Sequence, residues 1–175
     1  MKTSLLILAA ICALPAAATA QSNTSISIAG GAVLPVGKLK DTQSVGEGGS
    51  VGLTFGAADS PFGLRLSLGY DRLGKKTVSG KEILGSRVFS GSGDVLFTFP
   101  GTLTKPYLLA GVGELRMQSD SSGAKSRSRF GFDFGAGVSF PIGSRAAFLE
   151  SRLQSISQKE ARPLRYLQLM LGLLL

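Results

Sequence analysis

Apolar and polar residues alternate with a period of two along almost all of the chain beyond residue 24. In residues 25–36, Ile26, Ile28, Ala32, Leu34 and Val36 share one face while Ser25, Ser27, Ala29 and Gly31 share the other, the mark of a strand with one greasy side. The clearest copy spans residues 62–71, where Phe62, Leu64, Leu66, Leu68 and Tyr70 alternate with Gly63, Arg65, Ser67, Gly69 and Asp71. A helix would scatter Arg65 and Asp71 among the leucines. The pattern recurs over residues 49–57, 88–99, 106–117 (apolar phase Tyr107, Leu109, Leu115 and Met117), 129–140, 146–155 and 166–175. Eight strands of 9 to 12 residues are therefore predicted.

The connections add independent information. Those after odd-numbered strands contain 12, 16, 11 and 10 residues, and those after even-numbered strands contain 4, 6 and 5. This rhythm predicts an up-and-down meander with long loops at one end and tight turns at the other. After the leader described below, no uninterrupted apolar run of about 20 residues exists, so any membrane span must be built of strands, and 9 to 12 residues suit a tilted strand crossing hydrocarbon. The predicted fold is all-β, an eight-stranded antiparallel up-and-down transmembrane β-barrel.

Residues 1–20 lie outside that fold. Lys2 supplies a positive start, residues 5–16 an apolar run, and Ala18-Thr19-Ala20 a small-residue cleavage site, which predicts a signal peptide cut between Ala20 and Gln21. The domain division is thus 1–20 for the signal peptide and 21–175 for the barrel, and the expected destination is the cell outer membrane. Cys12, the only cysteine, is lost with the leader, so no disulfide is expected.

The aromatic residues decide which face points outward. Phe62, Phe99, Tyr107 and Phe140 gather near the short turns, and Tyr70, Phe89 and Phe130 near the long loops. Two girdles at two interfaces suit a lipid-facing apolar surface. The opposite phase carries glycines with Arg65, Asp94, Glu114, Arg116, Asp133, Glu150 and Arg152, expected to fill the narrow interior as a paired charge network. A soluble periplasmic ligand-binding barrel, with the phenylalanines inward and the charges in water, is the alternative architecture. Pairing the fourth and fifth strands so that Phe99 faces Tyr107 would place Gly93 opposite Gly113 toward lipid, as a groove for oligomerisation or lipid contact or as a relief of curvature.

Composition then removes chemistries. The chain has 175 residues and no His, so no His-based triad, imidazole base or imidazole metal ligand exists. Glu114, Asp133 and Glu150 invite a carboxylate-pair reading, but a filled lumen leaves no substrate cleft. No enzyme activity, cofactor or metal is expected. Glycine, at 24 positions, is about twice its usual share of ~7%, which suggests a backbone packed too closely for side chains. The net charge of +8 is concentrated in the long connections, where twelve basic residues, among them Lys75, Lys76, Lys81, Arg127 and Arg162, face five acidic ones. Those loops contain no aromatic residue, which argues against nucleic acid. Polyanionic lipopolysaccharide is the expected counter-ion.

Three stretches, Pro106-Tyr107-Leu108-Leu109-Ala110-Gly111-Val112-Gly113, residues 131–141 (GFDFGAGVSFP) and Phe148-Leu149-Glu150-Ser151-Arg152, resemble motifs of the outer-membrane beta-barrel domain family, the eight-stranded OmpA/OmpX/OmpW-like group. The resemblance implies the same fold, contact with outer-membrane lipid, and delivery by the barrel-assembly machinery. Members usually end in an aromatic residue, whereas this chain ends Gly172-Leu173-Leu174-Leu175. Together these features predict a monomeric, non-enzymatic outer-membrane barrel with a plugged lumen and a structural or surface-interaction role. The alternative function is a small gated channel in which the interior ions re-pair.

Overall fold

The computed structural model describes residues 22–57, 60–78, 80–101, 103–120, 126–158 and 163–175. The expected cleavage point at Ala20 and Gln21, and Arg162 of the basic loop set, lie outside them. Among the described residues ten strands form: β1 (Ser22–Val36), β2 (Ser44–Ala57), β3 (Phe62–Gly74), β4 (Lys76–Val78), β5 (Lys81–Ile83), β6 (Ser86–Thr98), β7 (Lys105–Ser119), β8 (Arg127–Ile142), β9 (Arg145–Ile156) and β10 (Leu164–Leu174), with one short helix, α1 (Leu39–Thr42). Eight close into a barrel in the order β1-β10-β9-β8-β7-β6-β3-β2, while β4 and β5 pair as a separate hairpin in the connection between β3 and β6. Every neighbouring pair in the barrel is antiparallel. Closure leaves no unpaired edge, which is what hydrocarbon requires of a β structure. No described helix is long and apolar enough to cross a membrane.

The register fixes the barrel's shape. Directly opposed residues followed once around the wall, Thr24, Phe55, Leu64, Val95, Ala110, Phe134, Leu153 and Leu167, return to β1 at Leu34, a stagger of ten residues. Such a stagger tilts the strands by roughly 40° and leaves an interior that side chains can fill. The strands run to 11–16 residues in the barrel, longer than the alternation alone suggested. At the β8–β9 turn Ile142 pairs with Arg145, and the left-handed φ of +60° at Gly143 closes the tight connection.

The outer wall is apolar. Ile26, Ile28, Val51, Leu64, Leu68, Val95, Leu108, Val112, Phe132, Phe134, Leu149 and Leu171 are all exposed on it. Phe62 and Phe97 meet with ring centroids 5.2 Å apart, Phe97 and Phe99 at 5.0 Å, and Tyr70 and Phe89 at 4.8 Å. A soluble barrel would hide this belt, so the soluble alternative does not fit the fold.

Strand β7 departs from the reading by sequence. The β6–β7 register sets Thr98, not Phe99, opposite Tyr107, and a slip of one residue turns every side chain to the other face. Tyr107, Leu109 and Leu115 are consequently buried inside, while Glu114 and Arg116 are exposed on the outer wall. Tyr107 is therefore not a girdle residue, and Glu114 and Arg116 are not lumen charges. For the same reason Gly93 opposes Val112 on the outside, while Gly113 opposes Ser92 on the inside.

Candidate functional site

The lumen is layered. Toward the long loops, Val33, Leu39, Leu73, Val88, Leu115, Ile156 and Tyr166 form one buried apolar cluster, with α1 contributing Leu39. Toward the short turns, Leu96, Tyr107, Leu109 and Phe148 form a second. Between them lies a layer of charge. Its backbone origin is one ladder row in which Thr54, Arg65, Asp94, Gly111, Asp133, Gln154 and Tyr166 stand successively opposite one another. All seven point inward because period-two side chains on opposed positions share a face.

Glu150 is the hub of this layer. Its Oε2 accepts hydrogen bonds from Arg65 Nη1 and Tyr107 OH, both at 2.7 Å, and its Oε1 accepts from Arg152 Nε at 3.2 Å and Nη2 at 3.0 Å. Arg65 is held further by Thr54 Oγ1 at 3.2 Å and lies 5.6 Å from the Tyr107 ring and 5.8 Å from the Phe148 ring, positions that suit cation–π attraction. Arg152 Nη1 also reaches Asp94 Oδ2 at 3.4 Å and Asp133 Oδ1 at 3.8 Å. Nearer the long loops, Asp71 accepts from Tyr166 OH at 2.9 Å and from Gln168 Nε2 at 2.8 Å. Asp71 was missing from the sequence-derived set, although its phase already pointed it inward; Tyr166 and Gln168 became recognisable as its partners only through the register.

Two buried guanidinium groups, Arg65 and Arg152, thus serve three buried carboxyl groups, Asp94, Asp133 and Glu150, while a fourth, Asp71, is held by Tyr166 and Gln168. Asp94 Oδ1 and Asp133 Oδ1 have no hydrogen-bond partner, so Arg152 is the cation both depend on. Each of these carboxyl groups is enclosed and committed to structural bonding or to Arg152. That describes a plug rather than catalytic machinery, which would need an open cleft.

The glycines explain how such large groups fit. Tyr107 stands opposite Gly137, Phe148 opposite Gly172, Asp71 opposite Gly48, Asp94 opposite Gly111 and Leu109 opposite Gly135. A Cβ at Gly48, Gly111, Gly137 or Gly172 would run into the facing side chain, and one at Gly135 would meet the Ser151 carbonyl at 2.7 Å and press on Leu109 at 3.1 Å. Each bulky inward group occupies the space its cross-strand partner gives up, which is the close packing that the composition suggested.

The long-loop end is basic. Lys75 is hydrogen-bonded to Glu82, with Nζ 2.6 Å from Oε1, and this contact raises the pKa of its ammonium above the ordinary lysine value. Lys76 donates to the carbonyl of Lys40, and Arg127 is exposed. Lys81 belongs to β5.

A closed eight-stranded barrel with a lipid-facing apolar wall, aromatic residues toward both rims and an interior plugged by an ion-pair network defines an integral outer-membrane protein. The chain belongs to the outer membrane protein beta-barrel domain family, whose model matches residues 3–161. It is similar in fold to Neisserial surface protein A (18% identity, 88% of this chain and 97% of that one, TM-score 0.69). It is also similar to the N-terminal β-barrel domain of Pseudomonas aeruginosa OprF (18% identity, 89% and 100%, TM-score 0.54). A third likeness is to Ail of Yersinia pestis, solved in complex with the heparin analogue sucrose octasulfate (18% identity, 88% and 97%, TM-score 0.52). No curated protein matches the chain.

Proposed function

We propose that this outer-membrane barrel is a structural and surface-interaction protein whose basic long-loop rim engages lipopolysaccharide. The observation that carries the reading is the plugged lumen: with apolar layers at both ends and a bonded charge layer between, the surface is what remains available for function. In barrels of this type the longer loops face the cell exterior, where lipopolysaccharide phosphates meet the rim's Lys and Arg side chains. The chain reaches this state after cleavage between Ala20 and Gln21 and insertion by the barrel-assembly machinery, as a monomer. Binding to lipopolysaccharide micelles is expected at low salt and is expected to weaken as salt rises, because exposed charge pairs are screened. A binding curve indifferent to salt, or absent, would remove the rim reading.

One observation favours a gated channel as the second reading. Arg152 lies within 3.0, 3.4 and 3.8 Å of three different carboxylates, so a shift in its partners could open a path through the central layer. In planar bilayers the plug reading expects no conductance from the wild type or from Arg152→Ala. Discrete openings that depend on Arg152 would establish the gate instead.

A further inference from the structure

Four strand glycines lie on the outward phase where an added Cβ would meet only ordinary contacts: Gly30 of β1 and Gly49 of β2, which oppose each other, and Gly91 and Gly93 of β6, which follow one another along a single strand. Both β6 glycines lie on the lipid-facing wall, where a Cβ would meet only Leu68 at 3.6 Å or Leu66 at 3.7 Å. These are ordinary contacts, and neither residue has a left-handed φ. Internal packing therefore does not require glycine at either place. The result is a shallow groove running along β6, walled by Leu66 and Leu68 of β3 on one side and by Val112 and Glu114 of β7 on the other.

The groove ends at the outer rim beneath an unusual set of charges. Tyr70 and Phe89 are directly opposed and form an aromatic shelf. Beyond it, Arg72 of β3 stands directly opposite Arg87 of β6, and Arg116 of β7 stands opposite Phe89. All three arginines are exposed and outward. Arg87 pairs with Asp120 at 2.6 Å, whereas Arg72, directly opposite Glu47 on its other side, and Arg116 have no ion pair among the described residues. Like charges placed face to face across a ladder are destabilising; Asp120 offsets Arg87 and Arg116 donates to Ser126 Oγ, which leaves the Arg72 guanidinium without a bonded anion among the described residues. Arg72 also lines a rim cleft with Glu47, Lys75 and Asp120.

Glu114 narrows the identity of the partner. Its side chain is exposed on the groove's edge, directly opposite Gly91 on one side and Phe130 on the other, without an ion pair among the described residues. A glycerophospholipid offers only ester acceptors below its phosphate. A phosphorylated glycolipid carries sugar hydroxyl and amide N–H donors there, which a carboxylate can accept.

We infer that the β3–β6–β7 wall is a binding site for a phosphorylated, acylated glycolipid of the outer leaflet. Arg72, Arg87 and Arg116 take the phosphate, Glu114 accepts hydrogen bonds from the sugar, and an acyl chain lies along Gly91 and Gly93. This rests on the reading that the protein engages lipopolysaccharide, but it locates the contact on the wall rather than on the loop lysines.

The test is titration of the purified full-length protein in nanodiscs with lipopolysaccharide, with its deacylated phosphorylated saccharide, and with phosphatidylglycerol. Heat-modifiable gel mobility establishes that each variant is folded. The triple variant Arg72→Gln/Arg87→Gln/Arg116→Gln is expected to weaken lipopolysaccharide binding about tenfold or more. Gly93→Leu is expected to weaken binding of the acylated ligand and leave the deacylated saccharide unchanged, and Glu114→Ala to erase the preference over phosphatidylglycerol. If the triple variant and Gly93→Leu bind like the wild type while Lys75→Gln/Lys76→Gln loses binding, the loop contact stands and the wall site is overturned. If the wild type does not bind lipopolysaccharide, both fall.

Discussion

Arg152→Ala is expected to cost about 3–5 kcal/mol of barrel stability, the range for removing one member of a buried ion pair. The loss is large because one side chain serves three carboxylates. Glu150 would keep Arg65 and Tyr107 as donors, but Asp94 would retain, among the described residues, the hydroxyls of Ser67 and Ser92, each 3.4 Å away. Asp133 would lose its only nearby cation among the described residues. Both are almost wholly buried, at 2% and 1% exposure, so water cannot replace the guanidinium. Asp133→Asn in the same background should recover part of the loss by deleting one unpaired charge, and Asp133→Asn alone should cost less than Arg152→Ala. The chain has no Trp, so unfolding in urea is best followed by circular dichroism and by heat-modifiable gel mobility. A loss below about 1 kcal/mol, the scale of a surface pair, would show that the central layer is hydrated and the lumen is not plugged there.

The outer wall was almost fully legible in the sequence because it has one requirement, contact with hydrocarbon, and period-two alternation reports it directly. Residues 62–71 of β3 display it in pure form, and the outward phases read for β3, β6 and β10 match the structure. The interior is less legible because it satisfies two demands at once. Its central layer is ionic, but its two ends are apolar, so large hydrophobic side chains occur on both phases of one strand. In β7, Leu108 and Val112 face out while Tyr107, Leu109 and Leu115 face in. Judged by hydrophobicity alone, its phase is inverted. A signal was nevertheless present: Gly111 and Gly113 share the phase of Tyr107, and glycine marks the inward phase at residues 131, 135 and 137 of β8. In β7 and β8, glycine is a better guide to the inside than charge, because outward charges such as Glu114 and Arg116 are inexpensive near the rim whereas the crowded interior leaves no room for a side chain opposite Tyr107, Leu109 or Asp94.

That argument makes the second large expected effect. Gly137→Leu should destabilise the barrel by about 3 kcal/mol, combining the overpacking cost of a filled interior with a weakened hydrogen bond to a charged group. A Cβ at residue 137 would fall within the Tyr107 ring. That ring cannot swing aside freely, since its hydroxyl is bonded to Glu150 and its face lies against Arg65. Displacing it disturbs the hub of the charge layer. In contrast, Gly93→Ala, on the outer wall, should change stability by no more than about 0.5 kcal/mol, as expected of a surface substitution. Combining Gly137→Leu with Tyr107→Ala supplies the decisive comparison in a double-mutant cycle. If steric exclusion between these two residues is the reason for the glycine, the double variant should be less destabilised than the sum of the singles, because the vacated ring space accepts the new side chain. Strict additivity would mean that Gly137 serves backbone curvature and that the pairing of glycine with bulk across the ladder is incidental.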